Sequence, residues 1–66
     1  MDQRITWIEN EVIALSKSFE AVQSQLDTWK QNQQIPEPSI RAMKLYVNGM
    51  RRNLASIDEI LDSTDD

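Results

Sequence analysis

From Ile5 onward the apolar positions of the chain fall at alternating steps of three and four residues: Ile5, Ile8, Val12, Leu15, Phe19, Val22, Leu26 and Trp29. That spacing lines one stripe of an α-helix, the a and d positions of a heptad repeat. The stripe stops at Gln31-Asn32-Gln33-Gln34-Ile35-Pro36-Glu37-Pro38-Ser39, and a second with the same steps follows through Ile40, Met43, Val47, Met50, Leu54, Ile57 and Leu61. The pattern predicts helix one over about 3–32, a turn over 33–38, helix two over about 39–63 and an acidic C-terminal tail.

Folded back antiparallel, the two stripes pair in one constant register. Trp29 faces Ile40, Leu26 faces Met43, Val22 faces Val47, Phe19 faces Met50, Leu15 faces Leu54, Val12 faces Ile57 and Ile8 faces Leu61. The expected fold class is therefore all-α, an antiparallel two-helix coiled-coil hairpin, forming a rod about 40 Å long. Helix one has two candidate starts, Asp2 as N-cap or the capping box Thr6-Trp7-Ile8-Glu9; Asp2 is preferred because Ile5 already belongs to the stripe. Pro38 pushes Glu37 away from the α region, so helix two is expected to start at Pro38 or Ser39, with Ser39 as a candidate N-cap.

Length then limits what the hairpin can do alone. A chain of 66 residues holds one domain and one small core, and so small a core usually needs a staple. Cysteine and histidine are both absent, which removes disulfides and the usual zinc and haem ligands and fits a reducing, cytoplasmic setting. Association with further helices is the remaining staple. No segment reads as a signal peptide or as a membrane span, and a net charge of −4 disfavours a generic nucleic-acid binder.

With Ile5 and Ile40 as a positions, the c and g rows collect Trp7, Ala14, Ser18, Ala21 and Gln25 from helix one with Ala42, Tyr46, Gly49, Asn53, Ser56 and Ile60 from helix two. These residues are small and partly apolar. Small side chains let another helix approach closely, and Gly49 costs about 1 kcal/mol inside a helix unless close approach offsets it. The expectation is a self-association or partner face at Trp7, Ala14, Ser18, Ala21, Ala42, Tyr46, Gly49, Asn53 and Ile60, giving a dimeric four-helix bundle. The plainer alternative is a solvated face of small residues.

Candidate chemistry is sparse. Glu9 and Glu11 pair, and Asp58, Glu59, Asp62, Asp65 and Asp66 cluster at the C-terminal end, but a two-helix rod offers no cleft in which to tune a carboxyl group. Neither a phosphate-binding glycine loop nor a His- or Cys-based nucleophile arrangement is present. The reading is therefore of a protein that is not an enzyme and needs no cofactor. The acidic cluster is a candidate docking end for a basic partner surface or, more plainly, a solubilising tail. Arg41, Lys44, Arg51 and Arg52 form a basic stripe on helix two and are candidate nucleic-acid contacts, with a solvated face as the plain alternative.

In size and paired heptads the chain resembles two kinds of small bacterial helical hairpin, the Rop-type RNA-binding dimers and the small co-chaperones of type III secretion needle subunits. The first resemblance implies RNA contacts on a four-helix bundle; the second implies a hairpin whose apolar side is completed by another protein's helix. Both are architectural and transfer no functional residue. The expected function is a non-catalytic protein-binding factor, an adaptor, chaperone or inhibitor, that binds itself or another protein. A Rop-like nucleic-acid-binding regulator and an assembly piece of a larger complex are the alternatives.

Overall fold

A computed structural model describes residues 2–63. The chain is two α-helices packed against each other, α1 over Gln3–Asn32 and α2 over Glu37–Asp62. The rod measures 51 × 17 × 12 Å, with a Cα radius of gyration of 15.4 Å where a compact chain of this length would have about 11 Å.

α1 starts at the cap preferred from sequence. Asp2 is extended, at φ −81° and ψ 120°, and its carboxylate accepts the Arg4 backbone N–H at 3.0 Å. The Arg4 guanidinium adds Nε contacts of 2.8 and 2.9 Å and an ion pair through Nη2. α1 ends on Gln33, which turns the chain in the left-handed region at φ 54°.

α2 begins one or two residues before the expected start at Pro38 or Ser39, because Pro36 and not Ser39 is the N-cap (φ −66°, ψ 141°) and Glu37 is already helical. A first helical turn leaves its N–H groups without helical partners, so Pro38 loses no hydrogen bond there. Ser39 has a different task. Its hydroxyl donates to the Pro36 carbonyl at 2.7 Å and accepts the Trp29 indole N–H at 3.0 Å, which ties the end of α1, the turn and the start of α2 together. At the far end Ser63 returns its N–H to the Glu59 carbonyl and its hydroxyl to the Ile60 carbonyl.

The two helices meet along a narrower strip than the heptads suggest. Along α1 the half-buried positions are Arg4, Ile8, Glu11, Leu15, Ser18, Val22, Gln25 and Trp29 of the d and g rows, with Ala21 of the c row. Ile5, Val12, Phe19 and Leu26, the a row, are 44% to 61% exposed. Along α2 the d row and Asn53 and Ile60 of the g row are joined by Ala42, Gly49 and Ser56 of the c row and by Ile40 and Val47 of the a row, while Tyr46 of the g row and Leu54 and Leu61 of the a row stand exposed. The pairing expected for Leu26, Phe19, Val12, Leu15 and Ile8 is thus incomplete, since one member of each pair points outward. Only near the turn do both members of a pair, Trp29 with Ile40 and Val22 with Val47, remain half-buried. Among the described residues none is fully buried.

Candidate functional site

Which sides of the hairpin are open follows from the strip. On a helix, neighbouring heptad rows lie about 50° apart, so on α1 the a row sits to one side of the d/g contact and the c row to the other. On α2 the sense of rotation is mirrored because the helix runs antiparallel. Both a rows therefore fall on the same side of the rod. Ile5, Val12, Phe19 and Leu26 of α1 run beside Leu54 and Leu61 of α2 on this side, with the half-buried d residues forming the floor between them. A monomer seldom leaves a contiguous apolar strip along its full length without a use for it.

The c/g residues expected to receive a second hairpin divide. Ser18 and Gly49 meet within the chain itself, the Ser18 Oγ lying 3.8 Å from where a Cβ on Gly49 would stand. Asn53 donates to Glu11 Oε1 at 2.8 Å across the two helices. Ala21, Ala42 and Ile60 are half-buried, whereas Trp7, Ala14 and Tyr46 are exposed. Part of the c/g flank thus lies between the chain's own helices, and the bulky a rows lie on the opposite, exposed side. Glu11 was missed as an inter-helix residue; its shared g row with Asn53 was the available signal.

The charged candidates lie at the surface. Asp58, Glu59 and Asp62 are exposed near the open end of the rod, which also carries Asp2 and Glu9. Asp65 and Asp66 lie outside the described residues. Arg41, Lys44, Arg51 and Arg52 are all exposed on α2, and Arg41 shares an open depression with Glu37 and Pro38. Asp2 has its carboxyl lowered to about 2, first by the Arg4 side-chain hydrogen bond and then by the Arg4 backbone N–H, and the same pair raises the Arg4 pKa.

Among the described residues no group of three or more His, Cys, Asp or Glu side chains is placed to hold a metal ion, and no helix is long and apolar enough to cross a membrane. No protein-family model matches the chain, no curated protein matches it and no solved structure matches it.

Proposed function

We propose that the chain is a non-catalytic protein-binding factor, of the adaptor, chaperone or inhibitor kind, that works by contributing its open a-row face to a helical bundle. The observation that supports this reading is the apolar strip from Ile5 to Leu26, left uncovered beside Leu54 and Leu61 although the hairpin is already closed by its own d and g rows. Burying such side chains stabilises an assembly by about 25 cal/mol per Å² of apolar surface, and a hairpin with no fully buried residue among those described has that stabilisation still to gain.

The test is a matched capture. Wild-type chain and the Phe19→Glu/Leu26→Glu variant are immobilised and challenged with the same native extract. A protein held stoichiometrically by the wild type and lost from the variant, but kept by the exposed c-row variant Ala14→Glu, is the expected result. A bound set that is identical across all three chains would sink the reading.

The basic stripe supports a second reading, nucleic-acid regulation, because Arg41, Lys44, Arg51 and Arg52 are all exposed and none belongs to the apolar strip. Fluorescence anisotropy with labelled RNA and duplex DNA at low salt decides between them, since phosphate contacts are strongest there. Saturable binding that falls steeply with salt and is lost in an Arg51→Glu/Arg52→Glu variant would favour this alternative; absence of binding would end it.

A further inference from the structure

The open face has a symmetry of its own. On α2 its a row is uneven: Leu54 and Leu61, toward the open end, stand out at 55% and 53% exposure, while Ile40 and Val47, toward the turn, are recessed and half-buried. We propose that a second copy of this chain covers the face head to tail, the turn of one hairpin lying beside the open end of the other. Each protruding half-row then enters the recessed half-row of its copy.

One two-fold axis satisfies both helices. Crossing the rod at Phe19, it sets Phe19 against its own copy and Val12 against Leu26; on α2 it sets Leu54 against Val47 and Leu61 against Ile40. The two conditions agree to within a helical turn, because Ser18 meets Gly49 in the hairpin, which puts Phe19 level with Asn48, close to the middle of the α2 row. An interface of this type is isologous, the same patch serving both copies.

Charge on the rims selects the head-to-tail arrangement. The e row beside the face runs Glu9, Ser16, Gln23, Lys30 on α1 and Lys44, Arg51, Asp58 on α2. Head to tail, Glu9 comes level with Lys30 of the second copy and Lys44 with Asp58 of the second copy. Arg51 meets its own copy near the axis, a like-charge contact that its long side chain can turn toward water. With both turns at one end, α1 would face α2 of the second copy, Glu9 would meet Asp58, and the acidic ends of both chains would crowd together.

The rod exposes a large surface for its mass. The chain exposes 5419 Å², against about 4,300 Å² for a compact monomer of 7.7 kDa by the usual scaling of surface with mass. The excess, about 1,100 Å², is surface that the elongated rod as a whole exposes beyond a compact monomer, and a stable interface of standard size takes roughly 800 Å² from each partner.

This inference rests on the reading of the face as a docking surface, and its test separates the two. Sedimentation equilibrium over a concentration series is expected to give twice the mass of 7.7 kDa, and Phe19→Glu is expected to weaken dimerisation at least tenfold while Ala14→Glu leaves it unchanged. Spin labels on Gln33→Cys, beside the turn, are expected about 40 Å apart across the dimer, the span of some 27 helical residues. Should Phe19→Glu lose its helical circular dichroism, Phe19→Cys decides instead: placed at the axis, it should form an inter-chain disulfide on mild oxidation, whereas Ile5→Cys should not. A monomer at every concentration overturns self-association but leaves the protein-binding reading standing if the matched capture succeeds. A dimer with the Gln33 labels close together overturns the head-to-tail arrangement, and a dimer indifferent to Phe19→Glu overturns the face.

Discussion

Gln33 closes α1 at φ 54°, in the left-handed region where a side chain crowds the following carbonyl and glycine does not. The chain's one glycine stands elsewhere, at Gly49 inside α2. Close packing does not demand it, because an added Cβ would meet only the Ser18 Oγ, at an ordinary 3.8 Å. Gln33→Gly should therefore stabilise the hairpin by about 1 kcal/mol, and Gly49→Ala by about 0.5–1 kcal/mol. Thermal or urea unfolding at fixed protein concentration reads both, and a loss of stability in Gly49→Ala would show that the helices cannot give way at that point. Asp2 supplies a pH-dependent cap. Its folded-state carboxyl lies at about 2, below its ordinary 3.8, so its contribution is fully present above about 4 and is lost as pH falls through about 2. The amide resonance of Arg4 should shift across that window, and Asp2→Asn should abolish the shift.

At the scale of the helices, two side-chain links hold the hairpin in register. The first joins Trp29, Ser39 and the Pro36 carbonyl around the turn. Ser39→Ala removes both of its bonds and should cost about 1 kcal/mol, the usual net contribution of a hydrogen bond in a part-exposed setting, and it should also alter the Trp29 fluorescence. The second is the Asn53–Glu11 bond, in the half of the rod toward the open end. A double-mutant cycle through Glu11→Ala and Asn53→Ala should return a coupling of about 1 kcal/mol, the value for a charged hydrogen bond discounted for solvent access. Zero coupling would mean that the carboxylate prefers water to Asn53.

For the whole molecule, exposure alone does not mark an interface. Leu45 is 72% exposed and Ile13 51%, yet both project from rows outside the open face. Leu45→Glu should change unfolding free energy by less than about 0.5 kcal/mol and leave self-association untouched, in contrast to Phe19→Glu. If the face carries a second copy, the thermal midpoint must also rise with protein concentration, since anything that binds the folded chain alone stabilises it by mass action. A midpoint independent of concentration over two decades would be at odds with a dimer.

Steps of three and four residues were enough to find both helices, because the 3.6-residue period leaves little else for such a pattern to be. Asp2 was legible as a cap for a similarly local reason. Glu37 was not, since its helical state depends on a first turn that needs no hydrogen bond from Pro38. Two long helices, an antiparallel return and an acidic open end could all be read from the order of residues, being consequences of local periodicity and short-range chemistry. Which row of each helix turns inward emerges when the two helices pack. Rotating a helix about its own axis leaves every backbone hydrogen bond and every capping contact intact, so local rules are indifferent to it. The choice falls to the side chains that meet across the gap, and here the Glu11–Asn53 pair and the half-buried Ser18 lie between the helices on one flank while Phe19 and its row face outward.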